Sequence, residues 1–188
     1  MRIIGIFGEP ASGKTTVMRK FISHLGPGTV HKEGMVVYTV YHGVIVAGIY
    51  DDQVFSGTDR LSKGCGPKYR EWLTSKADDP QFDDWVFYWE GERFSNYKFF
   101  NFFQAYGATL YYLQADPATL DARNAGRSNQ SSTWRKGMTT RMRNLRDKYH
   151  TIAVSQGFQL ERRFPPGSLQ APPGSLRGSE GLIIFLIL

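Results

Sequence analysis

The chain has 188 residues, enough for one domain with a substantial core. Its 41% hydrophobic content excludes a disordered chain, and a single cysteine, Cys65, excludes an internal disulfide framework. A formal net charge of +6 favours an anionic partner, and a polyanion more than a small nucleotide.

Residues 2–7 (RIIGIF) are an apolar run suited to one buried strand. Met1 leads straight into it, so no signal peptide is expected. The next stretch is Gly8-Glu9-Pro10-Ala11-Ser12-Gly13-Lys14-Thr15, with Thr16 behind it. It matches the G-x-x-x-x-G-K-[ST] phosphate-binding pattern. Residues 15–25 follow with Val17, Phe21 and Leu25 at helical spacing. Strand, glycine loop and helix stand in the order that phosphate binding needs. Glycines let the backbone turn tightly, so several N–H groups converge on one anion. The helix adds its positive end. Lys14 is expected on the β- and γ-phosphates and the Thr15 hydroxyl on Mg²⁺. The chain is therefore read as binding a nucleoside triphosphate, ATP with Mg²⁺.

Gly26-Pro27-Gly28 ends the first helix. Residues 35–41 (MVVYTVY) and 44–50 (VIVAGIY) predict a hairpin turning at His42-Gly43, with His42 a turn residue. A purely parallel sheet would place a helix between these strands, so at least one of them is antiparallel. The loop at 50–62 is rich in acids, hydroxyls and glycine and follows a strand, where α/β folds place their ligands. Asp59 lies there between Thr58 and Arg60. It is a candidate to take a proton from a substrate hydroxyl or to hold Mg²⁺ through water. The alternative is a helix N-cap. Asp51 and Asp52 read as solvated turn residues.

Residues 67–76 predict a helix opened by Pro67. Residues 85–89 (WVFYW) predict a buried strand that delivers Glu90-Gly91-Glu92-Arg93. An acid at the end of a buried strand near a phosphate loop occupies the Walker-B position. Glu90 is thus the candidate to act on Mg²⁺, its bound water or the acceptor hydroxyl. Glu92 and Arg93 read as a possible exposed ion pair, with Arg93 and Arg60 also candidate nucleic-acid contacts. Residues 96–106 predict an aromatic helix, 108–114 a strand, and Ala115-Asp116-Pro117 opens a short helix to about Arg123.

From 123 to 148 eight residues are basic and Asp147 is the only acid. This stretch is expected to be a lid. Its arginines would close over transferring phosphates, Arg127 being grouped with Lys14, Asp59 and Glu90 as catalytic. Arg123, Arg135, Lys136 and Arg141 would hold a nucleic-acid backbone, with Trp134 stacking on a base. A basic solvated helix face is the plainer alternative. Beyond it, PPGSL occurs at 165–169 and again at 172–176, an irregular linker. The apolar run at 182–188 (LIIFLIL) is too short to span a bilayer, so no membrane partner is expected. It is suited to adding a strand or docking in a groove. The organisation expected is a domain over 1–160 and a tail over 161–188.

On GEPASGKT, GTDRLS at 57–62, EGER at 90–93 and the basic lid, the chain resembles the small phage-type P-loop kinases. Within these it looks like the 5-hydroxymethyluracil DNA kinases, over about residues 1–148. The resemblance implies a three-layer α/β/α P-loop NTPase fold, nucleotide-kinase-like, with a mostly parallel sheet. It implies that Gly13, Lys14 and Thr15 bind ATP and Mg²⁺. Asp59 or Glu90 then serves the acceptor hydroxyl, and the lid arginines hold phosphate. It also implies a DNA partner carrying a modified base and a cytoplasmic location, that of a host if phage-encoded. Two alternatives remain on the residues: a nucleoside or nucleoside-monophosphate kinase, and a nucleotide-dependent binding protein without phosphoryl transfer.

Overall fold

The computed structural model describes residues 1–51, 56–125, 131–155 and 182–187, with side chains as far as residue 149. Seven strands form one sheet. They are β1 (Arg2–Gly8), β2 (Thr29–Glu33), β3 (Val36–Tyr41), β4 (Val44–Ala47), β5 (Val86–Glu90), β6 (Thr109–Gln114) and β7 (Leu182–Ile187). Their order is β2-β3-β4-β5-β1-β6-β7. From β4 to β7 every pairing is parallel, and β3 runs antiparallel to both β2 and β4. The sheet is α/β and mostly parallel, with antiparallel strands at one edge.

The expected hairpin at His42-Gly43 is present as β3 and β4. A second hairpin, β2 with β3, was not anticipated. Its first strand, TVHKE, is exposed along its whole length, so no buried face writes a period into the sequence. At the other edge, the apolar run at 182–187 pairs with β6 in register from Thr109↔Leu182 to Gln114↔Ile187. The repeated PPGSL lies outside the described residues.

Five α-helices accompany the sheet among the described residues: α1 (Lys14–Ile22), α2 (Gly66–Ala77), α3 (Tyr97–Ala105), α4 (Pro117–Ala125) and α5 (Ser132–Ser155). Alternation along β1 sorts four of them onto two faces. Ile6 turns toward Met18 of α1, with Val46 and Leu113 from neighbouring strands. Ile3 and Phe7 turn the other way, into a larger core with Tyr69, Trp72 and Leu73 of α2 and Phe99, Phe100 and Phe103 of α3. That core also takes Met138, Met142, Leu145 and Tyr149 of α5. Their helical spacing makes α5 a helix packed on the core with a basic outer face, where a lid was expected over about 123–148.

The parallel centre leaves little room. Gly5 pairs with Trp89 across β1 and β5, and a Cβ on Gly5 would come within 2.3 Å of the indole ring. Trp89 is itself stacked on Phe103, ring centroids 4.9 Å apart. Neither side can yield, so Gly5→Ala should cost about 1–3 kcal/mol through overpacking. Urea unfolding checks this, and an unchanged midpoint would mean that the indole has space not evident in this packing.

Candidate active site

β1 ends at Gly8, and the chain must reverse within a few residues to start α1 at Lys14. Gly13, the residue before the helix, has φ 98°, a left-handed conformation that favours glycine. Ala11 also sits at positive φ, 63°, which is strained for a residue with a Cβ. Lys14 ties the loop across its width. Its Nζ donates to the carbonyls of Gly8 at 3.1 Å and Glu9 at 2.8 Å. Val17 N–H closes the first helical turn on Gly13 O at 3.0 Å. The N–H groups that start a helix have no partner within it, and those of α1 begin at the cleft.

β5 runs parallel to β1, with Ile6 opposite Glu90, so it delivers Glu90 beside this loop. Glu90 is only 1% exposed. Its Oε1 accepts hydrogen bonds from the Thr15 hydroxyl and the Tyr50 hydroxyl, each at 3.2 Å. Burial pushes the Glu90 carboxyl up to about 7; Asp59 adds to the shift, while Lys14 and the two hydroxyls oppose it. Tyr50 is pushed well above its ordinary range by burial and by Glu90.

Asp59 arrives from a short 3-10 turn at Thr58–Arg60. It is not the N-cap considered from the sequence: Gly57 holds that position and makes no side-chain cap. Asp59 Oδ1 instead accepts the Glu92 N–H at 2.7 Å, and the Thr58 hydroxyl donates to Glu90 O at 2.7 Å. The turn is thus stitched to the exit of β5.

These elements enclose a cleft of about 100 Å³ lined by Gly8, Pro10, Ala11, Gly13, Lys14, Thr15, Thr16, Asp59 and Glu90. Gly91, Glu92, Ser95, Trp134, Met138 and Met142 complete it. Trp134, in the first turn of α5 and 37% exposed, has its N–H bonded to Ser131 Oγ at 3.2 Å. Met138 and Met142 follow it at successive helical turns. Sequence reading missed both, although their four-residue spacing from Trp134 was visible.

The other expected basic residues are arranged differently. Arg123 Nη1 donates to Ala11 O at 3.2 Å, which brings α4 onto the loop between β1 and α1. Arg60 pairs with Asp51 at 2.8 Å, so Asp51 is an ion-pair partner as well as a turn residue. Arg93 Nε donates to Leu61 O at 3.1 Å and does not pair with Glu92. Glu92 lies 3.9 Å from Arg141 instead. Arg135 donates to Asn124 O at 3.3 Å, and Lys136 is exposed on α5. Arg127 lies outside the described residues. The basic segment looked short of acids because its acids come from elsewhere: Arg143 pairs with Glu9 at 2.8 Å. Glu9 and Arg143 lie 134 positions apart, so no local pattern announces them.

Among the described residues, no three His, Cys, Asp or Glu side chains cluster as an all-protein metal cage. The donors present fit Mg²⁺ shared with a polyphosphate: one hydroxyl, Thr15, hydrogen-bonded at 3.2 Å to one carboxylate, Glu90. No helix among the described residues is long and apolar enough to cross a membrane. In comparisons with known proteins, no family model matches the chain and no curated protein matches it.

The Glu90 shift has a sign that can be measured. Between 4.5 and about 7 the folded chain keeps a proton on Glu90 that the unfolded chain has released. Stability therefore falls as pH rises through that window, by on the order of 3 kcal/mol from this group in the metal-free protein. Glu90→Gln should remove that decline, so the variant gains on the wild type as pH rises. Urea unfolding across the window reads the difference, and a pH-independent difference would show that Glu90 ionises normally.

Proposed function

We propose that the chain is an ATP-dependent kinase that transfers the γ-phosphoryl group to a hydroxyl. The acceptor we propose is the hydroxymethyl group of 5-hydroxymethyluracil in DNA. One observation carries the reading. Two carboxylates, Glu90 and Asp59, line the same cleft as Lys14 and Thr15, and only one of them bonds to Thr15. A binding protein without transfer has no need of the second.

The strand–loop–helix beside β5 supports a P-loop NTPase fold. In this reading the loop N–H groups and Lys14 hold the β- and γ-phosphates. Thr15 and Glu90 hold Mg²⁺, which when bound draws charge from those phosphates. Glu90 must be ionised for this, and the charges it would meet favour that form. Asp59 takes the other role. Its Oδ1 is fixed by Glu92 N–H, which orients the carboxylate toward an acceptor. As the acceptor oxygen bonds to the γ-phosphorus, its proton passes to Asp59. The bond from that phosphorus to the β–γ bridging oxygen breaks, leaving ADP.

The wall opposite the loop suits a flat base. Trp134, Met138 and Met142 offer an aromatic side chain and two polarisable thioethers. The net charge of +6 and the resemblance to the DNA kinases support a base carried on a polymer. A base within a duplex would have to be flipped out to reach this cleft.

Transfer of labelled γ-phosphate tests the reading on DNA containing 5-hydroxymethyluracil, ordinary DNA, free nucleosides and monophosphates. Label is expected in the modified DNA alone. Label in free nucleosides or monophosphates would move the chain to the metabolic kinases. Lys14→Ala should abolish transfer. Asp59→Asn should lower kcat by about 10²–10⁴-fold with little change in KM for ATP. A mild Asp59→Asn phenotype would remove it as the base.

A further inference from the structure

Glu9 is the second residue of the phosphate loop, and its carboxylate is almost wholly buried at 4% exposure. A negative charge there opposes the polyanion that the loop is proposed to bind. It is also expensive to bury without a partner. Two elements distant in sequence supply partners. The Tyr112 hydroxyl on β6 donates to Oε1 at 3.2 Å. Arg143 on α5 donates from Nε to Oε1 at 2.8 Å and from Nη2 to Oε2 at 3.4 Å, a two-pronged clasp.

Arg143 follows Met142, and Met142 lines the cleft while Arg143 does not. Glu9 does not line the cleft either, so the Arg143–Glu9 pair lies outside its lining, with the Arg143 side chain 53% exposed. We infer that Arg143 is a positioning residue for nucleotide binding, cancelling the charge of Glu9 so that the loop accepts a polyphosphate while fixing α5 beside the cleft. This rests on the proposed nucleotide site. It assigns Arg143 an action through Glu9, unlike an arginine that grips phosphate directly.

The two mechanisms separate in a charge-rescue cycle. MgATP is titrated calorimetrically into wild type, Arg143→Gln, Glu9→Gln and the double variant, with melting recorded for each. Arg143→Gln leaves Glu9 charged with its cationic partner gone and only the Tyr112 hydroxyl on it, and should raise Kd on the order of tenfold. Glu9→Gln leaves a net positive charge at the loop and should lower Kd. The double variant should recover most of the affinity that Arg143→Gln loses. An arginine gripping phosphate itself costs as much affinity with Glu9 neutral as with Glu9 charged, and one acting only on the fold moves the melting temperature without moving Kd of the folded protein.

An unchanged Kd in Arg143→Gln, or a loss persisting undiminished in the double variant, overturns the inference. Should Arg143→Gln fail to fold, the other two variants decide it. Removing Arg143 where Glu9 is already neutral must then leave Kd within about threefold of wild type, a bound set by the screened interaction of charges at this separation. Absence of MgATP binding in a folded wild type would overturn the proposed function and this inference with it. Binding by wild type without rescue overturns this inference alone.

Discussion

The arrangement depends on a buried carboxylate held beside a helix start. Glu90 ends a strand whose neighbours leave it 1% exposed, and its bond partners are the Thr15 and Tyr50 hydroxyls. Desolvation raises the cost of its charge, while Lys14 lowers it. A dication with phosphates would turn that cost into attraction. The site is therefore least comfortable when ionised and alone, which is how a binding site stores selectivity for a cation-bearing anion.

The parallel register makes this possible. Gly5 opposite Trp89 leaves room for the indole over β1, and Ile6 opposite Glu90 sets the acid beside the loop that leaves β1. The turn carrying Asp59 is fixed to the same strand end by Glu92 N–H and Glu90 O. On the far side α5 is anchored by its buried stripe from Met138 to Tyr149 and by Arg143 on Glu9. Every wall of the cleft is thus tied to the core or to the loop after β1, so its groups are held in place before any ligand arrives.

The local elements were legible in the chain: the strand, glycine loop and helix over 2–22 stand in order, and β5 showed as an unbroken apolar run ending in Glu90. The β3–β4 turn was legible for the same local reason. β2 was not, because an exposed edge strand of mixed polarity carries no period. The helical stripe of α5 was masked by its arginines, which drew attention to its outer face. Tyr50 and Arg143 act on partners 40 and 134 positions away, and such pairings become visible only once the sheet order is known. Asp59 lay between: its loop looked like a site, but only the fold separated it from a cap and put it in the cleft lining.

The most direct test is calorimetric titration of a non-hydrolysable ATP analogue into the wild-type chain, with Mg²⁺ and with a chelator. Saturable one-site binding that weakens sharply in chelator is the expected result, because loop, Thr15 and Glu90 would then act as one Mg²⁺–triphosphate site. Absence of binding in both conditions, by a chain that is folded by circular dichroism, would contradict the account at its centre.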